Sequence, residues 1–282
     1  MENKQPKIGI NSRMIQEISG GPIFAREIEL VELNIDNPNI INNGTINFAA
    51  LDKLKALGNS FSIHGPYASY CSSTRLGEGA KCPRNLDSMK RVFEVTKYLH
   101  GSYIVIHGDV VVVDYRDTFL EVINALKQFC KLAQQYNLTL LIENMVREKS
   151  HDRVGVLPSE VLAVIEAVDE ENLKFCFDIG HANLAANLYD FDILDFVSLL
   201  GSYLRHVHIH DNLGIGPIID ERYGDQHLAM FRGKIDFPRL FSALNKCNVE
   251  NMVLELSPGT TRTDALKSIS AIRTLLSKTQ QN

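Results

Sequence analysis

The sequence lacks the features that mark several large classes of protein. No apolar run approaches the ~20 residues of a membrane span. The polar start, Met1-Glu2-Asn3-Lys4-Gln5-Pro6, has no apolar signal core. The expectation is a soluble, cytoplasmic protein with no membrane partner. Cysteines are few: Cys71, Cys82, Cys130, Cys176 and Cys247. Their odd number and scattered spacing do not make a disulfide framework. Cys71 and Cys82 flank a polar loop, but without a further ligand pair they are a poor metal motif. Positive charge is not in excess either. With 29 Lys and Arg against 34 Asp and Glu, the net charge is −5, and no general electrostatic pull toward nucleic acid is expected. Neither G-x-G-x-x-G nor G-x-x-x-x-G-K-[ST] occurs, which argues against an open doubly wound nucleotide-binding sheet. Internal repeats, low-complexity tracts and linkers are missing as well.

What the sequence does have is alternation. Strand-like runs are expected at 7–12, 30–35, 60–65, 103–108, 139–144, 173–179, 204–211 and 251–256. Segments with apolar residues at helical spacing lie between them, at 48–57, 86–99, 119–136, 161–168, 193–200, 237–244 and 266–276. The connection between the first two strands is the shortest and its helix the weakest. Eight strands alternating with helices imply a parallel sheet closed into a (β/α)8 TIM barrel, an α/β fold. The 282 residues and 45% hydrophobic content suit one domain over 1–282. Two long connections, 66–85 and 212–235, follow strands that end in candidate ligands. Loops of ~20 residues within a compact domain are usually functional or disordered.

The strand ends carry the chemistry. Ser62-Ile63-His64, Val105-Ile106-His107, Leu141-Ile142-Glu143, Cys176-Phe177-Asp178, Val207-His208 and Val253-Leu254-Glu255 each finish on a metal-type ligand. Side chains alternate along a strand. Ser60, Ser62 and His64 therefore share one face and the apolar Phe61 and Ile63 the other. The same alternation sets His206, His208 and His210 against Val207 and Ile209. One His at a strand end is more often a hydrogen-bonded structural residue than a ligand, and one Glu can cap a helix or pair with an Arg. Five or more strands delivering such groups to one mouth is a different matter, because crowded carboxylates need a counter-charge. Alternate strand residues lie ~6.6 Å apart, so the three histidines 206, 208 and 210 cannot all hold one ion. His208 is the expected ligand, His210 a substrate or supporting contact, and His206 deeper lumen packing.

At these positions the chain resembles the xylose isomerase-like barrel superfamily, which includes endonuclease IV and many sugar isomerases and epimerases. The resemblance rests on His64-Gly65-Pro66-Tyr67, Glu143-Asn144, Phe177-Asp178-Ile179-Gly180-His181-Ala182, Val207-His208-Ile209-His210-Asp211, Asp225-Gln226-His227 and Leu254-Glu255. It spans nearly the whole chain and implies a divalent metal cofactor (Zn, Mn, Co or Mg), one to three ions. In endonuclease IV fashion, His64, His107 and Glu143 would hold one ion. Glu143, Asp178, His208 and Glu255 would hold a second, and His181, Asp225 and His227 a third. In the sugar-enzyme branch one ion would sit on Glu143, Asp178, His208 and Glu255. The catalytic pair Glu143 and Glu255 would move a proton there, with His181 contacting substrate. Beside that resemblance, His210 is read as a further substrate contact, and Arg232 and Lys234 read equally as contacts for an anionic substrate group and as solvated loop charges.

The chain departs from the endonuclease at Met145-Val146-Arg147-Glu148, at Gly180 and at Phe231-Arg232-Gly233-Lys234-Ile235-Asp236. Gly214 replaces the substrate arginine of ketohexose epimerases. The leading expectation is a metal-dependent isomerase or epimerase of a small sugar, sugar phosphate or related hydroxy-carbonyl compound, compatible with a homo-oligomer. The alternative is a trinuclear zinc phosphodiesterase acting at abasic sites, with DNA as its partner. A non-catalytic scaffold ranks last, since it has no need to bury convergent carboxylates and imidazoles.

Overall fold

The computed structural model describes residues 5–66, 83–111 and 114–278; Tyr67, Cys71 and Cys82 lie outside the described residues. Eight parallel strands close into a barrel. They are β1 (Lys7–Asn11), β2 (Leu30–Asn34), β5 (Ser60–His64), β6 (Tyr103–His107), β7 (Thr139–Glu143), β8 (Leu173–Asp178), β9 (Leu204–Ile209) and β10 (Asn251–Leu254). A two-stranded hairpin, β3 (Ile41–Asn42) and β4 (Thr45–Ile46), sits outside the barrel. Around the barrel each strand pairs with the next in chain order, and β10 closes on β1, as the alternating pattern implies.

Alternation along the strands sorts the side chains into two environments. Ile104, Ile106, Leu140 and Ile142 join the main apolar core beneath the helices. Val105, Leu141 and Cys176, of opposite parity, form a separate small cluster inside the barrel. Register then sets the candidate ligands side by side, with His107 beside Glu143 and Asp178 beside His208. Parallel strands buried on both faces read as continuous apolar runs. The exceptions to that run, polar groups on the inner parity, therefore mark the lumen.

Several boundaries differ from expectation for identifiable reasons. The helix Tyr115–Gln134 starts before its apolar stripe, capped by Asp114, whose side chain accepts from Asp117 N at 3.1 Å. The helix Pro158–Val168 likewise begins on a polar first turn, with Pro158 at its start and Glu160 accepting from Val156 N at 2.9 Å. The helix Ile179–Tyr189, directly after β8, escapes a periodicity search because its buried Gly180, Ala182, Ala185 and Ala186 give little amphipathic contrast. The first connection holds only short turns and the four-residue helix Gln16–Ser19. Among the described residues no helix is long and apolar enough to cross a membrane.

Candidate metal centre and its cavity

Glu143, at the end of β7, is buried at the centre of the barrel mouth. On one side His107 Nε2 lies 2.9 Å from its Oε2 and His64 Nε2 lies 3.9 Å away. The two imidazole nitrogens are 3.2 Å apart. Burial opposes ionisation of Glu143, but His208 and His107 more than offset it and hold its carboxyl well below the usual range. Glu143 Oε2 has no aligned hydrogen-bond donor among the described residues despite its burial. Nitrogens on one tetrahedral ion with bonds of ~2.0–2.1 Å would sit ~3.3 Å apart. Facing ring nitrogens beside an orphaned carboxylate oxygen thus fit a cation better than a hydrogen-bond network.

On its other side Glu143 joins Asp178, His208 and Glu255, whose ligand atoms all lie within 4.8 Å of one another. His208 Nδ1 is 3.3 Å from Glu143 Oε1, 3.7 Å from Glu255 Oε2 and 3.8 Å from Asp178 Oδ2. Behind the ring lies a residue that the strand-end pattern did not reveal. Glu32, midway along β2, places Oε1 2.8 Å from His208 Nε2 and Oε2 3.0 Å from His206 Nε2, and it accepts from Ser62 Oγ at 2.9 Å. Burial works against its charge, but His208 and His206 prevail and keep it well below the usual carboxylate range. A carboxylate that fixes the far nitrogen of a ligand imidazole orients the ring and raises its basicity. The signal in the sequence was a charged residue of lumen parity inside Leu30-Val31-Glu32-Leu33-Asn34. His206 is fully buried on Glu32, deep in the lumen.

A third group gathers at Asp225. His227 Nε2 lies 2.7 Å and His181 Nε2 3.2 Å from Asp225 Oδ2, and His210 is within reach of the same ligand set. Burial disfavours the charged form of His227, but Asp225 overcomes it and the ring is pushed up to about 9. His181 is raised in the same sense by Asp178 and Asp225 against its burial. Divalent ions of the zinc type take such nitrogen and oxygen donors, and the three groups together contain all nine residues expected as ligands.

The cavity above these groups has a volume of about 360 Å³ and is lined by His64, His107, Glu143, His181, Asp225, His227 and Glu255, with Asn11, Asn34 and Gln226 around them. Three of the residues expected as substrate contacts lie away from this cavity. Arg232 and Lys234 do not line the cavity. Arg232 points outward and its Nη2 bonds Asp264 Oδ1 at 2.9 Å, while Lys234 is exposed. His210 does not line it either, being fully buried beneath the loop. Among the described residues, the cations that line the cavity are Arg13, from the first connection, and Arg153, held by Glu148 at 2.7 Å. Neither has a signature in the sequence, because both lie outside the barrel strands and the α-helices.

Two polar clamps hold the mouth in place. Asn144 extends the β7–β8 pairing past the strand ends, its Nδ2 donating to Asp178 O at 2.9 Å and its Oδ1 accepting from Asp178 N at 2.8 Å. Asp211, fully buried, accepts from Asn212 N at 2.9 Å, Gly233 N at 2.7 Å and Ile235 N at 3.2 Å. It thereby ties together the two ends of the loop that carries Asp225 and His227.

Comparison with known proteins places this architecture. Uncharacterised protein MJ1311 of Methanocaldococcus jannaschii is 27% identical over 171 residues, 59% of this chain and only 53% of that protein, so the match spans about half of that relative. Uncharacterised protein MJ1614 of the same organism is 28% identical over 234 residues, 82% of each chain. Among solved structures, a D-tagatose 3-epimerase-like protein superposes with a TM-score of 0.76 at 20% identity, covering 98% of both chains. The family model described as xylose isomerase-like TIM barrel matches residues 29–275. The chain therefore belongs to the xylose isomerase-like TIM barrel family.

Proposed function

We propose that the protein is a metal-dependent isomerase or epimerase acting on a small sugar, sugar phosphate or related hydroxy-carbonyl compound. The observation that carries this reading is the placement of Glu143 and Glu255. The two carboxylates come from strands separated by β8 and β9, belong to one ligand group and line one cavity. A cavity of about 360 Å³ lies at the small end of ligand sites. The similarity to a D-tagatose 3-epimerase-like protein is consistent with the reading.

Glu143, Asp178, His208 and Glu255 would hold the metal, which supplies Lewis-acid polarisation of a substrate oxygen when bound. The chain's own groups do the rest. One glutamate accepts the proton of a carbon next to the polarised carbonyl. The other, protonated, returns a proton to the opposite face or to the neighbouring carbon, and exchange with water resets the pair. Arg13 and Arg153 stand at the wall of the cavity, where an anionic substituent of the substrate would be met by charge-assisted hydrogen bonds. Incubation with a panel of ketoses, aldoses and their phosphates in D2O tests the proposal. Solvent deuterium should enter at the reacting carbon, and Glu143→Gln or Glu255→Gln should abolish the exchange. Full exchange in both variants would rule out the proton-transfer roles.

A second reading is favoured by a specific observation. Glu143 belongs to two ligand groups at once, and a third group lies beside them, as suits an endonuclease IV-like phosphodiesterase in which several ions clamp a phosphate. Cleavage of duplex DNA at an abasic site, with no deuterium exchange on any sugar, would make this the correct reading.

A further inference from the structure

We propose that His210 is the fourth ligand of the Asp225 centre, closing it into a His3Asp metal site whose ion fastens the 212–235 loop to the barrel and does not take part in the reaction. The proposal rests on the metal-binding reading of the mouth and is independent of the substrate.

Hydrogen bonding fixes the tautomer of each ring. His181 Nδ1 is 2.9 Å from Asn144 O and His227 Nδ1 is 2.7 Å from Glu255 O. His210 Nε2 lies 3.1 and 3.2 Å from the two oxygens of Asp178. Carbonyls and carboxylates only accept, so these three nitrogens carry the hydrogens. When an ion displaces any second proton, each ring presents its other nitrogen as a bare lone pair. All three bare nitrogens face Asp225, with His181 and His227 at Oδ2 and His210 Nδ1 3.6 Å from Oδ1. His210 is fully buried, and neither its Nδ1 nor Asp225 Oδ1 has a hydrogen-bond partner among the described residues. Buried lone pairs left facing one another are costly. A single cation among them would satisfy all four.

Two features indicate that this arrangement is built. A Cβ on Gly180 would fall 1.9 Å from Cε1 and 2.4 Å from Nδ1 of His210, so the ring occupies the space that a side chain at position 180 would need. His227 adopts a left-handed backbone with φ of 46°, which non-glycine residues rarely take without a constraint. The bond from His210 to Asp178 also supplies the carboxylate partner that metal-bound histidines usually have. Four protein donors leave no open position, the mark of a structural rather than a catalytic zinc-type site. Asp225 and His227 come from the loop, His181 from the helix Ile179–Tyr189 and His210 from the end of β9. An ion there spans three separate segments, with Gln226 of the cavity wall held between two of its ligands.

The test compares the wild-type protein, His210→Gln and Gly180→Ala, each loaded with Zn²⁺ or Co²⁺ and dialysed against a weak chelator. His210→Gln keeps an amide that can donate to Asp178, whereas Gly180→Ala displaces the ring and leaves His210 in place. The wild type should retain one more ion than either variant and show a tetrahedral Co²⁺ band that both lack. Trypsin cleavage at the exposed Arg222 within the loop should be slow in the loaded wild type. It should rise at least tenfold in the variants or on metal removal, with far-UV circular dichroism unchanged. Equal ion retention and equal Co²⁺ spectra in all three proteins would overturn the role of His210. A wild type that binds no divalent ion at all would overturn the metal reading itself.

Discussion

Glu32 Oε1 lies 2.8 Å from His208 Nε2, with both side chains fully buried. The contact, an ion pair without an aligned hydrogen bond, turns one nitrogen of the ring toward β2 and leaves Nδ1 directed at Glu143, Asp178 and Glu255. Glu32→Gln keeps the shape but removes the charge that orients and activates the ring. Metal affinity should fall by roughly 10–100-fold with the fold intact, as read by competition with a chromogenic chelator. An unchanged affinity would contradict the supporting role assigned to Glu32.

The metal-free protein should have a narrow pH optimum of stability. His227, raised to about 9 from 6.5, contributes stability that is complete below about pH 6.5 and is lost as pH rises through 9. His181 and His208 are raised in the same sense. Glu32, Glu143, Asp178 and Asp225 are held low. Their contribution is present above the ordinary carboxylate value of ~4 and is lost as pH falls below it. Metal-free melting temperatures should therefore peak near pH ~5–6.5. Ion binding requires deprotonated rings, so saturating Zn²⁺ should abolish the alkaline decline. An alkaline limb that persists under saturating metal would refute this coupling.

Arg13→Ala or Arg153→Ala should raise KM for a substrate carrying an anionic group by roughly 10–100-fold, the loss expected for one charged hydrogen bond, with little change for its neutral analogue. Arg232→Ala and Lys234→Ala, which lie away from the cavity, should leave both unchanged. Steady-state kinetics on phosphorylated and unphosphorylated pairs distinguish these outcomes.

Gly108 follows β6 at a point where a Cβ would meet Val154 O at 1.9 Å. Gly108→Ala must push the backbone at Val154 away, and overpacking of this kind costs about 1–3 kcal/mol. The variant should unfold at correspondingly lower denaturant concentration with an unchanged slope. It should also lose affinity for metal at His107, the adjacent residue.

The barrel and the strand-end members of the candidate ligand groups were legible because both are periodic. Inner and outer parity alternate along each strand, and a His or carboxylate that breaks an apolar run at a strand end stands out against it. Asp225, His227 and His181 lie off the strands and emerged only through family resemblance. Glu32 stayed hidden because it sits in the middle of its strand, one layer below the ligands, where its partners His206, His208 and Ser62 are distant in sequence. Arg232 and Lys234 looked suitable because they carry charge in a loop near the mouth. Which way a loop side chain points is set by tertiary neighbours, here Asp264 for Arg232, and no local pattern encodes that.

The bonds from Asp211 to Asn212, Gly233 and Ile235 turn the long connection after β9 into a lasso knotted at its own base. The loop meets the barrel at this knot and again at 227–228, where His227 Nδ1 lies 2.7 Å from Glu255 O and Leu228 pairs with Asp211. Residues 213–224 can therefore lengthen, shorten or change composition without moving β9 or β10, and each doubling of a flexible loop adds only about 0.6 kcal/mol to its closure. Evolution can thus retailor this outer arc of the loop while the strands beneath it are inherited unaltered.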